Sequence, residues 1–177
     1  HYAKALDNTL AAGASLSAGL ASSQMASYWS TVANWSKTAT AHQVMTPNGG
    51  ATFTSTLMQQ LKMVAQIIEA GSRATGVNNG LGMKRQVFFV QVGGFDTHTN
   101  QTNAANNTPS PANVVLGTQS NLLSDVSQSI WSFMKAIKQI GVTQGVANFV
   151  DKVTCFTASD FGRTFPCNGL GSDHGWG

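Results

Sequence analysis

The residues best suited to chemistry in this sequence fall in two loop regions, residues 93–98 directly after one apolar segment and residues 159–175 after another. The chain has only seven acidic residues and four histidines, yet both loops combine the two types, with Asp96 and His98 in the first and Asp173 and His174 in the second. Carboxylate oxygen and imidazole nitrogen together are ligands for zinc, and also for iron or manganese. Because Asp96 and His98 are two residues apart, an extended backbone would turn both side chains to one side.

Each loop by itself has an ordinary structural explanation. An Asp before Thr and after glycines is often an Asx turn or a helix N-cap, and an Asp-His pair can be a plain hydrogen bond. The occurrence of both loops in one chain favours a metal site instead. Arg163, near the start of the second loop region, has the planar guanidinium that could hold a phosphate or sulfate oxygen. His1 and His42 have no acidic neighbours, and we expect them at the surface.

Two apolar segments, residues 86–92 and 153–158, are predicted to be buried strands, because β-branched and aromatic residues run through them almost without interruption. A long helix is predicted between them, from Val115 to Ile140. Strand, helix, strand predicts a right-handed crossover, and therefore an α/β fold with a mainly parallel sheet flanked by helices. Such sheets bind ligands beyond the carboxyl ends of their strands, where the two loops fall. Cys155 would then be buried in the second strand.

The amino-terminal part of the chain is predicted to be helical. We assign residues 1–50 to an Ala- and Ser-rich flanking region and residues 51–177 to the α/β domain. Apolar residues between Met25 and Trp35 recur at helical spacing, and another amphipathic helix is predicted over residues 57–71. Trp29 and Trp35 favour core packing, with a carbohydrate-binding platform as the alternative.

Composition limits the classes of function. Charged residues make up 10% of the chain and the net charge is +3, and the scattered Lys and Arg residues predict no nucleic-acid patch. No segment is long and apolar enough to span a membrane. The first residues show no signal peptide, and the abrupt start and end predict an internal piece of a longer protein. The low charge favours an exported protein, periplasmic or extracellular, in which Cys155 and Cys167 could be either bridged or free.

Three motifs occur in a specific order, namely Gly93-Gly94-Phe95-Asp96-Thr97-His98, Ser159-Asp160-Phe161-Gly162-Arg163-Thr164, and Ser172-Asp173-His174-Gly175-Trp176-Gly177. Together they resemble the domain-of-unknown-function 1501 family of bacteria, which looks like a branch of the alkaline phosphatase and sulfatase superfamily. The likeness covers residues 55–177, and the family often has Glu at the position of Asp160.

The resemblance implies a metal-dependent hydrolase of phosphate or sulfate esters, on small-molecule or polysaccharide substrates. Asp96, His98, Asp173 and His174 would bind the divalent metal ions, with zinc expected first and calcium, manganese or iron as alternatives. Asp160 and Arg163 would line the catalytic site. The superfamily's nucleophile lies upstream and has no equivalent here, so we expect no hydrolysis by this chain alone. The rest of the sheet would come from missing sequence or another chain. The alternative is a non-catalytic exported binding or structural protein.

Overall fold

A computed structural model describes residues 2–36, 55–99, 101 and 118–176, and helices make up most of it. Two short strands, both close to the carboxyl end, form the sheet seen in these ranges. In chain order, the elements are α1 (Tyr2–Ala21), α2 (Ala26–Ser30), a 3₁₀ helix (Val32–Asn34), α3 (Thr56–Ser72), α4 (Thr118–Gln144), a second 3₁₀ helix (Phe149–Lys152), β1 (Arg163–Cys167) and β2 (Ser172–His174).

Helix α3 forms where the sequence predicts an amphipathic helix, and it packs against both α1 and α4. Ser55 caps it, because its hydroxyl oxygen accepts a hydrogen bond from the backbone N–H of Met58 at 3.1 Å and so satisfies one of the free donors of the first turn. The apolar positions recur every three or four residues and turn one face inward. The buried residues of that face are Leu57, Met58, Leu61, Ala65 and Ile68.

Helix α4 packs against α3. Its buried apolar face is formed by Phe133, Ile137 and Ile140. Leu123, nearer the start of the helix, is exposed. The helix ends where Gly145 takes a left-handed conformation, with φ of 67°, and the N–H of Val146 turns back to the carbonyl of Gly141.

Apolar residues between Met25 and Trp35 belong to the same core. Trp29 and Trp35 are both buried in it, so the interpretation of these rings as an exposed carbohydrate platform is wrong. Arg73 at the end of α3 donates hydrogen bonds to the carbonyls of Gly19 and Ser22, which anchors the end of α1. The predicted domain boundary at residue 50 lies outside the described residues.

The prediction of a parallel sheet is wrong, since the described residues form no parallel sheet. Residues 86–92 and 153–158 form no strand, and the sheet that the structure does describe is antiparallel, formed by β1 and β2. The prediction assumed that both faces of the two segments are covered. Instead, Val87 is 97% exposed and Phe156 83%, and a strand also needs a neighbouring backbone to form its ladder. For the same reason Cys155 is exposed rather than buried, and Cys155 and Cys167 are free thiols.

The described helices were compared with the length and hydropathy of a membrane-spanning helix. Within the described ranges, none of them combines the length and the apolar character needed to cross a bilayer.

Candidate metal centre

The first loop presents its acid and its histidine on the same side. Thr97, between them, is buried, and its hydroxyl donates to the side-chain oxygen of Gln119 at 3.2 Å. Burial of Thr97 turns the residues on either side outward, so that the side chains of Asp96 and His98 are 65% and 42% exposed. The spacing of two residues predicts this arrangement.

The second pair of site residues lies on a β-hairpin that sequence reasoning missed. Strand β1 pairs with β2, with Arg163 opposite His174. Asn168 forms the turn, because its side-chain oxygen accepts hydrogen bonds from the N–H groups of Leu170 and Gly171, and Gly169 has a φ of 96°. The signal was present in the sequence, since Asn-Gly is a characteristic turn dipeptide.

Three side chains hold the two loops together through backbone atoms. The guanidinium of Arg163 donates to the carbonyls of Phe95 and Ser172. Asn168 donates from its amide nitrogen to the carbonyl of His98 at 2.9 Å. Gln101 accepts from the N–H of Ser172 at 2.8 Å. These contacts set the distance between the loops independently of the metal-site side chains.

The four predicted ligands meet in one cluster, here called the donor cluster: Asp96, His98, Asp173 and His174. Oδ1 of Asp96 lies 2.7 Å from Nε2 of His98 and 2.9 Å from Nε2 of His174. Asp96, His98 and His174 each offer one donor atom, and these atoms all lie within 4.8 Å of one another. Two loops that are distant in sequence therefore provide three converging ligands.

Aromatic stacking orients the second imidazole. The ring of His174 lies between those of His98 and Phe161, at centroid distances of 4.7 Å and 4.0 Å. Phe161 was not among the predicted site residues. These two ring contacts, together with the 2.9 Å contact between Nε2 of His174 and Oδ1 of Asp96, fix the orientation of the imidazole.

The fourth member of the donor cluster, Asp173, contacts the other nitrogen of His98. Its Oδ1 lies 2.9 Å from Nδ1, and this hydrogen bond raises the pKa of His98 and lowers the pKa of the Asp173 carboxyl. Ionised carboxylates only accept hydrogen bonds. When both carboxylates are ionised, His98 therefore donates from Nε2 to Asp96 and from Nδ1 to Asp173. A carboxylate on the far nitrogen also orients many metal-binding histidines.

The donor distances fit a small divalent cation after a modest opening. Zinc bonds to N and O of about 2.0–2.1 Å imply a tetrahedral edge of about 3.3–3.4 Å. The two Asp96–imidazole distances of 2.7 Å and 2.9 Å would lengthen by about 0.4–0.7 Å to reach that edge. The side chains of Asp96, His98 and His174 are between 41% and 65% exposed, so all three have room to rotate toward that spacing.

The two predicted catalytic residues are placed differently from the donor cluster. Asp160 is exposed and makes no hydrogen bond or ion pair with any residue that the structure describes. Arg163 is half-buried and uses both terminal nitrogens for protein acceptors, including the hydroxyl of Thr97 at 3.1 Å. The hydroxyls nearest in sequence, those of Ser159 and Thr164, donate to backbone carbonyls. Arg163 is therefore a positioning residue of the two loops.

The fold and the site together define a mainly helical chain with an exposed Asp/His cluster on two braced loops. Comparison of the sequence and structure with protein-family models, with curated proteins and with solved structures finds no match.

Proposed function

We propose that this chain binds a divalent metal ion, zinc in preference to calcium, manganese or iron, in the donor cluster. The observation that carries the proposal is the convergence of Asp96, His98 and His174, with donor atoms within 4.8 Å. One carboxylate oxygen and two imidazole nitrogens form the mixed ligand set that zinc favours. Asp173 would orient His98 through Nδ1.

The proposed use of the metal is hydrolysis of phosphate or sulfate esters, in line with the family resemblance. A bound divalent ion would supply Lewis-acid polarisation of a phosphoryl or sulfuryl oxygen. The donor-cluster side chains are between 41% and 65% exposed, so an ester group on a small molecule or on a polysaccharide has access to them. We place this activity outside the cytoplasm, in keeping with the low content of charged residues.

A second candidate function is metal binding without catalysis in an exported protein. The contacts of Asp160 and Arg163 favour it, because among the described residues neither makes a hydrogen bond or ion pair with a donor-cluster side chain, and Arg163 donates to Phe95, Thr97 and Ser172 instead. The hydroxyls of Ser159 and Thr164 donate to backbone carbonyls. On this hypothesis the metal would strengthen the contact between the two loops.

Metal binding is tested by titrating the purified chain with zinc, calcium, manganese and ferrous iron, with elemental analysis after dialysis. We expect one zinc equivalent to be retained by the wild type and lost in His98→Ala and His174→Ala. Asp151→Asn is the matched control, because Asp151 is an exposed carboxylate on the 3₁₀ helix outside the donor cluster. A wild type that retains no zinc would overturn both candidate functions.

The two candidates are separated by oxyanion binding. The zinc-loaded chain is titrated with inorganic phosphate and sulfate, and aryl phosphate and aryl sulfate turnover is followed in parallel. Zinc-dependent oxyanion binding that disappears in His174→Ala supports an ester site, whereas zinc binding with no oxyanion binding supports the non-catalytic candidate. Turnover by this chain would show that the catalytic groups lie within it, contrary to our expectation.

A further inference from the structure

The tetrapeptide Asn-Gly-Leu-Gly occurs twice in the chain, at residues 79–82 and at residues 168–171. Asparagine before glycine is the dipeptide most open to spontaneous deamidation. The backbone nitrogen of the glycine can attack the side-chain amide, and glycine has no Cβ to obstruct the approach. Because the two copies have the same sequence, a difference in their reactivity has to come from the structure around them.

The first copy, residues 79–82, holds its backbone nitrogens in ordinary hydrogen bonds. The N–H of Gly80 donates to the carbonyl of Val77 at 2.8 Å. The next N–H, that of Leu81, donates to the carbonyl of Ala70 at 3.1 Å. Gly80 is also buried. Its nitrogen would have to leave a carbonyl acceptor and move inside the packed protein before it could attack the preceding side chain.

The second copy forms the turn between β1 and β2, and its nitrogens are bonded differently. The N–H of Gly169 donates to Sγ of Cys167 at 3.2 Å, and a thiol sulfur is a weak acceptor. The N–H groups of Leu170 and Gly171 both donate to Oδ1 of Asn168, at 3.1 Å and 2.8 Å. Asn168 and Gly169 are exposed, so water has access to both.

This arrangement favours the bond changes of deamidation. When the nitrogen of Gly169 bonds to Cγ of Asn168, negative charge develops on Oδ1, where two backbone N–H groups already donate, as in an oxyanion hole. The bond from Cγ to Nδ2 then breaks, and the proton of the attacking N–H leaves with Nδ2 as ammonia. The product is a five-membered succinimide ring. Water opens it to an aspartate or an isoaspartate.

We propose that Asn168 is a site of spontaneous deamidation promoted by the fold, and that the reaction weakens the donor cluster. Nδ2 of Asn168 donates to the carbonyl of His98 at 2.9 Å and so braces the two loops. The carboxylate that replaces it has no N–H to donate, and its negative charge repels the carbonyl oxygen. The effect on zinc affinity rests on the proposed metal binding, whereas the deamidation does not.

The reaction is tested on the wild type by comparing the two copies within one sample. The folded chain is incubated at mildly alkaline pH, and peptide mapping by mass spectrometry follows both asparagines with time. We expect Asn168 to react at least about tenfold faster than Asn79, since donors to a developing oxyanion accelerate such attacks strongly. In urea, where both turns are unfolded, the two should react at similar rates. Equal rates in the folded chain, or a difference that persists in urea, would overturn the assignment.

The consequence is tested with Asn168→Asp, which carries the product side chain from the start. It should lower the urea midpoint of unfolding and reduce zinc affinity at least about tenfold, as loss of a group that orients a ligand does. Asn79→Asp is the matched control, because Nδ2 of Asn79 donates to the hydroxyl of Ser22, just after α1, at 2.6 Å. It should bind zinc as the wild type does.

The two parts of the proposal fail separately from the proposed function. A wild type that binds no zinc overturns the metal site, while the two deamidation rates and the urea midpoint of Asn168→Asp still decide the rest. An unchanged midpoint and unchanged zinc affinity in Asn168→Asp would overturn the effect on the donor cluster. An equal loss of zinc affinity in Asn79→Asp would do the same.

Discussion

The exchange of Asp96 for Asn tests the metal centre most directly. Oδ1 of Asp96 contacts Nε2 of both His98 and His174, so it is the shared donor on which the three-ligand geometry depends. Asn preserves the shape of the side chain but removes its negative charge. Loss of an outer carboxylate that only orients a ligand costs about 10–100-fold in metal affinity. For this direct donor we expect a loss of more than about 100-fold in zinc affinity.

The assay is competition for zinc with a chromophoric chelator, at a pH where His98 is neutral. Asp173→Asn provides the internal comparison, because its contact with Nδ1 of His98 predicts a loss of only about 10–100-fold. Asp151→Asn should bind as the wild type does. Wild-type affinity in Asp96→Asn, or an equal loss in Asp151→Asn, would refute the assignment of Asp96 as a ligand. A greater loss in Asp173→Asn than in Asp96→Asn would exchange the roles of the two carboxylates.

Three further predictions concern pH, the loop braces and the core. The hydrogen bond to Asp173 raises the pKa of His98 above its ordinary value of 6.5, and zinc needs the neutral ring. Zinc affinity should therefore fall as the pH drops through that raised pKa, and Asp173→Asn should shift the fall to lower pH in chelator competition. Arg163→Gln removes charged hydrogen bonds between the loops and should lower the free energy of unfolding, measured in urea, by about 2–3 kcal/mol. It should also lower zinc affinity. Met58→Ala should cost about 2–5 kcal/mol because its side chain is fully buried, whereas Met63→Ala on the exposed side of the same helix should cost less than about 0.5 kcal/mol.

Helices α3 and α4 could be predicted from sequence because their signal is local. The periodic apolar face of each helix is buried against the other, and Ser55 provides the cap within the same segment. The sheet could not be predicted in this way, because a strand depends on a partner that is distant in sequence. The apolar run at residues 86–92 indicated burial on both sides, but the core covers only one of them. The apolar pattern therefore indicated that the segment prefers an extended, buried conformation. It did not indicate which other part of the chain would lie against it.

The sequence predicted that the donor-cluster residues converge, but the physical reason it gave is not the one found in the structure. We expected the loops to meet at the edge of a parallel sheet, whereas the β1–β2 hairpin and the braces from Arg163 bring them together. The spacing of Asp96 and His98 was sufficient to place both on one side, since only local backbone geometry was needed. Stacking by Phe161 on His174 had no signal in the sequence beyond its position inside the second motif.

Two separate sets of contacts hold the donor cluster, and only one of them involves the donor atoms. Arg163 and Asn168 bind backbone carbonyls of the opposite loop, so the spacing of the loops does not depend on the protonation of the histidines. The contacts between His98 and its two carboxylates depend on protons, and a cation would replace the proton on Nε2 while the Nδ1 proton stays bonded to Asp173. Cation binding therefore requires rotation of exposed side chains on a backbone that is already in place, and preorganisation of this kind lowers the entropic cost of binding. Zinc binding should therefore release protons, and the number released is measured from the buffer dependence of the binding enthalpy. Fewer protons should be released in Asp173→Asn, because the pKa of His98 is then lower and the ring carries less proton before zinc binds.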